Sequence, residues 1–129
     1  MTGVQTCALP IFHIVYRGGG PKEAIDKEVA QNIDMYPDPY RWHSMPAYGI
    51  YFRYVKGLQV NNVVLQTMNP DERPAFVLDD VHNASFSHID AQKHENTPVF
   101  ILKNVTGITT HQVIGVQDTE IKKAENQKL

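Results

Sequence analysis

The chain has 129 residues, 42% of them hydrophobic, which is enough apolar material for one buried core of ordinary domain size. Twelve basic residues against 14 acidic ones leave a net charge of −2, with no run of either sign, so neither a nucleic-acid footprint nor a membrane-surface patch is implied. No apolar stretch approaches the roughly 18 residues of a membrane-spanning helix, and the single cysteine, Cys7, leaves no intrachain disulfide.

In chain order, the first segment is residues 1–11, Met1-Thr-Gly-Val-Gln-Thr-Cys-Ala-Leu-Pro-Ile11. This run resembles one reading frame of a common sequencing-library adapter entered at a GTG start codon, so the genuine protein is expected to begin at Phe12 or His13. The alternative is a short native strand packed through Val4, Cys7, Leu9 and Ile11. Residues 12–17 read as a strand.

An insertion of about thirty residues, 18–48, follows. Gly18-Gly-Gly20 makes a turn and Pro21 suits a helix start. Ile25, Val29 and Ile33 then fall on one helical face, which predicts a short helix running to about Asn32 with a Glu23–Lys27 pair along it. Beyond it the run Met35-Tyr-Pro-Asp-Pro-Tyr-Arg-Trp-His-Ser-Met-Pro-Ala-Tyr-Gly49, rich in proline and aromatics, reads as a long loop of the kind that often carries function.

Residues 49–117 contain a repeat. The segments starting at Gly49, Ala75 and Val99 superpose on Val55, Val81 and Val105, which are 26 and 24 residues apart. The same shift aligns Phe52 with Leu78 and Leu102, Leu58 with Ala84 and Ile108, and Val63 with Ile89 and Val113. A period in the twenties with matching apolar columns is the signature of a solenoid. Within each unit apolar residues stand two apart, as at Ile50 and Phe52 or Phe76 and Leu78, so the units are strands rather than helices. Lys56-Gly57, His82-Asn83 and Thr106-Gly107, with Asp80 and Asn104 before them, are residue types suited to tight left-handed corners. The predicted architecture is all-β: the C-terminal coils of a right-handed parallel β-helix, with an open upper edge that invites weak stability or aggregation. The polar tail, 118–129, suits an exposed last strand with a frayed end.

Several of these runs also resemble a known family. Tyr16-Arg-Gly-Gly-Gly, Tyr36-Pro-Asp-Pro, Met45-Pro-Ala-Tyr-Gly-Ile-Tyr-Phe-Arg-Tyr-Val-Lys-Gly-Leu and Asp71-Glu-Arg-Pro-Ala-Phe-Val-Leu-Asp-Asp-Val, spread over residues 13 to about 116, resemble the C-terminal part of bacterial glycoside hydrolase family 28, the polygalacturonase-like proteins. The resemblance implies a pectin-lyase-like β-helix, inverting hydrolysis of galacturonide linkages in pectic polysaccharide, and a periplasmic or extracellular parent protein. Inversion needs carboxyl groups held about 6.5–9.5 Å apart. The family draws them from Asn-Thr-Asp and Asp-Asp motifs supported by Gly-His-Gly and Arg-Ile-Lys. This sequence has no Asn-Thr-Asp, Gly-His-Gly or Arg-Ile-Lys, and its Asp79-Asp80 sits alone, so Asp80 reads as a corner residue and no catalytic residue is assigned.

Arg53 and Lys56 read as solvated strand and turn residues. The histidines at 13, 43, 82, 88, 94 and 111 never take a metal-binding spacing, and no cofactor is expected. The candidate ligand contacts are Tyr40, Arg41 and Trp42 with His43 beside them: rings that can stack on sugar faces and a guanidinium that can grip a galacturonate carboxylate. The alternative for that loop is packing along the side of the solenoid or at a subunit contact. Two other functional classes stay open for the whole chain, a non-enzymatic β-helix binding module such as an adhesin and a fragment of a pectate lyase.

Overall fold

A computed structural model of the protein describes residues 11–36, 38, 42 and 44–129. Residues 1–10, which carry nearly all of the adapter resemblance, and Tyr40, Arg41 and His43 of the aromatic loop lie outside the described residues. The described chain is all-β apart from one short turn of 3-10 helix. Its five strands are β1 (Phe12–Gly18), β2 (Ile50–Asn69), β3 (Phe76–Ala91), β4 (Phe100–Val113) and β5 (Thr119–Lys128). They form one mixed sheet in sequence order, parallel from β1 to β4 and antiparallel between β4 and β5. No helix among the described residues is long and apolar enough to cross a membrane.

The register follows the apolar columns. Val55 lies against Val81 and Val81 against Val105, and the same neighbours hold for Phe52, Leu78 and Leu102, for Leu58, Ala84 and Ile108, and for Val63, Ile89 and Val113. Each long strand is bent at matching places by residues with left-handed backbone: Tyr54, Asp80 and Asn104 at the first, Gly57, Asn83 and Gly107 at the second, Asn62, His88 and Gln112 at the third. Each such residue resets the in–out alternation, so the apolar residues on both sides of a bend stay inside. The first two corners lie where Asp80, Asn104 and the Gly/Asn positions predict them. The third, built on Asn62, His88 and Gln112, was not predicted; only Asn62 among them is a usual turn residue.

The bends fold each strand around the core. Phe76 and Phe86 are ten positions apart, about 33 Å along a straight strand, yet their ring centroids are 5.3 Å apart. Phe100 stacks on Phe76 at 5.1 Å and meets Phe86 edge-on at 4.8 Å. Leu65, Leu78, Val81, Leu102, Val105 and Ile108 complete this fully buried centre.

Burial fades toward β1. Phe52, Val55, Leu58 and Val60 are only partly buried, whereas Leu78, Val81 and Phe86 one strand below are fully so. The reason lies in the pairing: β1 covers β2 only from Val63 to Asn69, so among the described residues no strand lies beside 50–61 on that side. At the other end β5 covers β4, placing Ala124 over Val105 and Ile121 over Ile108. The polar tail does not fray, because Leu129 exchanges backbone hydrogen bonds with Phe100 and also accepts from the Val99 amide. The charges on the outer face of β5, among them Lys122, Lys123 and Glu125, suit an edge strand that should not pair further.

The second corner permits a direct test of this geometry. Gly107 has φ +67°, and an added Cβ would lie 2.9 Å from the Asn83 side-chain oxygen; Gly57, at the matching place two strands away on β2, has φ +75° and open space around it. Gly107→Ala should therefore cost about 1–2 kcal/mol from the left-handed backbone and the crowding together, with Gly57→Ala at the lower end of that range. Urea-denaturation midpoints measure both, and a reversed ranking would contradict the stacked corners.

The insertion departs from expectation. In place of a helix to Asn32, a 3-10 turn spans Lys22–Asp26, and Lys27 is already extended at ψ 128°. In the extended run that follows, two carbonyls accept side-chain donors: Val29 O takes Arg53 Nη1 at 2.7 Å and Ala30 O takes Trp42 Nε1 at 2.8 Å. Lys27, predicted to pair with Glu23, reaches the Trp42 carbonyl at 3.2 Å. The helical preference of this short segment is weak, and the chain leaves the helical path at Lys27. Ile25 and Ala47 pack on the outward column Tyr51, Val77 and Ile101, which explains why Val77 and Ile101 are buried although they point away from the main core.

Candidate functional site

Where the insertion crosses β2 it leaves a groove of about 630 Å³, in the size class of small-ligand sites. Tyr51, Arg53 and Tyr54 of β2 form its floor, and Val29, Gln31 and Ile33 of the insertion form one wall. Trp42 and Met45 from the aromatic loop close the other side.

β2 sets the floor by its period. Tyr51 and Arg53 stand two apart and share the outward face, and the left-handed backbone of Tyr54, φ 57°, swings the next ring to the same side of the groove. The Arg53 guanidinium carbon lies 5.4 Å from the Tyr51 ring centre and 5.6 Å from that of Tyr54, within cation–π range. Its charge is balanced by β3: Arg53 Nε and Nη2 each lie 2.9 Å from Asp79 Oδ2, and the Tyr51 hydroxyl donates to the same oxygen at 2.6 Å.

The electrostatics follow from burial and that carboxylate. Burial raises the Tyr51 pKa far above its ordinary value, and the hydrogen bond to Asp79 and its negative charge raise it further, so the phenol stays protonated. Burial works against the charge on Arg53, but its hydrogen bond to Asp79 and the neighbouring tyrosines hold its pKa above the ordinary value. Arg53 is therefore not the solvated strand residue its position suggests. It is an ion-paired tie between β2, β3 and the insertion.

Of the predicted contacts Tyr40, Arg41 and Trp42, the described residues place Trp42 in the groove, with its indole N–H held by Ala30. The partners that line the groove with it, Tyr51, Arg53 and Tyr54, were not anticipated as a site. A signal was present: two tyrosines flank an arginine, and Arg53 precedes the Val55 column by the same two positions as Asp79 precedes Val81.

The adjacent carboxylates Asp79 and Asp80 diverge into separate networks. Asp80 occupies a left-handed corner, φ 57°, accepts from Asn104 Nδ2 at 3.0 Å and lies 2.8 Å from His82 Nε2. The other nitrogen, His82 Nδ1, is 2.6 Å from Thr106 Oγ1. This Thr–His–Asp chain could relay a proton, but it lies along a half-exposed strand face and ties successive corners together. Among the described residues no group of three or more His, Cys, Asp or Glu side chains could hold a metal ion. The chain matches no protein-family model, no curated protein and no solved structure.

Proposed function

We propose that this chain is the C-terminal, structural portion of a glycoside hydrolase acting on pectic polysaccharide, polygalacturonase-like, with residues 49–117 forming coils of a right-handed parallel β-helix. The single observation that carries the reading is the in-phase stacking of β2, β3 and β4: apolar columns and left-handed corners coincide at offsets of 26 and then 24 residues. A repeating coil built this way is the scaffold that the resemblance of residues 13 to about 116 implies. Two further features support it. The partly buried upper edge of β2 suits a preceding coil of the same kind, and the antiparallel β5 suits the end of a stack.

In this reading the catalytic carboxylates belong to coils N-terminal to these. Asp79 is engaged by Arg53 and Tyr51, and Asp80 is held at a corner, so the pair is scaffold. The groove around Trp42 serves as an outer subsite for the polysaccharide. A protein working on such a substrate acts in the periplasm or outside the cell.

Recovering the reading frame upstream from overlapping genomic reads tests the proposal. Further coils of the same period, with paired aspartates within the preceding hundred or so residues, are expected. Coils without paired aspartates would refute the hydrolase and make the chain part of a β-helix binding module, and calcium-binding carboxylates with an upstream basic residue would point to a lyase.

A further inference from the structure

We infer that a second recess, between the β2–β3 and β3–β4 connections, binds a sugar through its ring hydroxyl groups. Its volume is about 510 Å³, within the range of small-ligand sites. Thr67, Met68 and Asn69 at the end of β2 form one side, and Gln92, Lys93 and Glu95 after β3 form the other. Two amides on these walls are held in known orientations. Gln92 is fixed at its backbone, its N–H donating to Leu65 O at 2.8 Å and its carbonyl accepting from the Tyr48 hydroxyl. Its side-chain oxygen accepts the Thr67 amide at 3.1 Å. A backbone N–H only donates, so that contact decides which end of the Gln92 amide is the oxygen and leaves its NH2 group as a donor for the recess. Asn69 is the complement. Its Nδ2 donates to Arg17 O at 2.8 Å, and because a carbonyl only accepts, Oδ1 remains as an acceptor.

Lys93 and Glu95 add a further donor and a further acceptor, of opposite charge. The Lys93 stem lies against the turn before β5, where a Cβ added to Gly115 would be 3.7 Å from Lys93 Cε. Met68, 74% exposed, contributes apolar surface. Asp71 borders the recess as well, but its oxygens are engaged by Arg73 and by the Gly20 amide. A ring hydroxyl both donates and accepts, so the several hydroxyls of a pyranose match walls that mix fixed donors with fixed acceptors. A ligand that only accepts, such as an inorganic anion, leaves Asn69 Oδ1 and Glu95 without a partner.

The full chain, labelled with nitrogen-15, is titrated with methyl galactopyranoside, with methyl galactopyranosiduronate, which differs from it only at C-6, and with methyl glucopyranoside, while the side-chain amide resonances of Gln92 and Asn69 are followed. Saturable shifts of both amides are expected, with the two galacto probes within about tenfold of each other because they share their ring hydroxyls. Gln92→Met and Lys93→Met, each removing one donor, should weaken binding about three- to tenfold, while Lys122→Met on β5 should leave it unchanged. A response to the acid alone would mean a charge contact at Lys93 and would overturn the inference. So would the absence of a saturable shift with all three probes, or a loss in Lys122→Met equal to that in Lys93→Met. The galacto probes follow from the pectic reading, whereas the hydroxyl match does not. A response to the glucoside alone would uphold the sugar site and count against the pectic reading, and an upstream frame without paired aspartates would leave the site in place.

Discussion

Asp71→Asn should lower the stability of the protein by about 3 kcal/mol, the lower part of the range for removing one partner of a buried ion pair, and the melting temperature by roughly 10 °C. Asp71 is 4% exposed. Its carboxylate receives Arg73 Nε at 2.9 Å, Arg73 Nη2 at 2.7 Å, the Arg73 amide at 3.0 Å and the Gly20 amide at 2.9 Å. Arg73 Nη1 in turn reaches the Met45 carbonyl at 3.2 Å, so this one carboxylate organises both ends of the insertion against the β2–β3 connection. The fit leaves no room at Gly20, where a Cβ would lie 2.0 Å from Arg73 Nε. Asparagine keeps the volume but loses the charge, and it leaves the guanidinium without a counter-ion. Replacing both partners, Asp71→Asn with Arg73→Met, should recover part of the loss, because no unmatched charge is then buried.

The same carboxylate predicts a pH dependence. Burial pushes the Asp71 pKa up, but the Arg73 and Gly20 hydrogen bonds outweigh it and hold the group below its ordinary 3.8. The folded state therefore binds its proton at lower pH than the unfolded chain does. The stabilisation is complete above the ordinary carboxylate value and fades as pH falls from about 4 through the depressed folded value. Asp118 is also lowered, by the Gln112 amide and by His111, but it is exposed and common to both proteins. The gap between parent and Asp71→Asn melting temperatures should thus narrow on acidification below about pH 4. A gap that stays constant down to full protonation would show that the carboxylate's charge is not what holds the insertion.

Phe86→Ala should be at least as costly, at about 3–5 kcal/mol, the usual range for emptying a buried phenylalanine site. Phe86 is fully buried, and its ring is shared by three strands: Phe52 at 6.3 Å, Phe76 at 5.3 Å and Phe100 at 4.8 Å. Because the surrounding residues lie on strands pinned by their ladders, the cavity cannot collapse without breaking register. Phe52→Ala, on the partly buried upper edge, should cost about half as much, since less apolar area leaves water there. Against a typical total of about 5–15 kcal/mol, loss of Phe86 could leave much of the chain unfolded at room temperature. Urea unfolding measures both variants. Equal costs at the two positions would contradict the burial gradient from β2 to β3.

Much of the sheet was legible because its determinants repeat. The valine column at 55, 81 and 105 and the columns through Phe52, Leu58 and Val63 come from side-chain alternation, a local property that stacking then reuses. The corner at Gly57, Asn83 and Gly107 was legible because few residue types adopt left-handed backbone cheaply; the corner at Asn62, His88 and Gln112 was not recognised, since only Asn62 there is a usual turn residue and no glycine marks it. Val77 and Ile101 looked like parts of a single apolar run, and only the insertion lying over them shows that both faces of the strand are covered there.

The candidate site was legible only in part. Aromatic composition drew attention to the loop around Trp42, but the groove depends on Tyr51, Arg53 and Tyr54, which come to it from β2. Where a helix to Asn32 was expected the chain is extended from Lys27, and Val29 O and Ala30 O accept hydrogen bonds from Arg53 and Trp42, 24 and 12 residues away. By itself the sequence determined which residues stack and which face inward, because a period repeated three times specifies register through apolar burial alone. Only the tertiary structure decided the path of the insertion and the pairing of Arg53 with Asp79. Those rest on single hydrogen bonds between distant segments, whose partners no local pattern identifies.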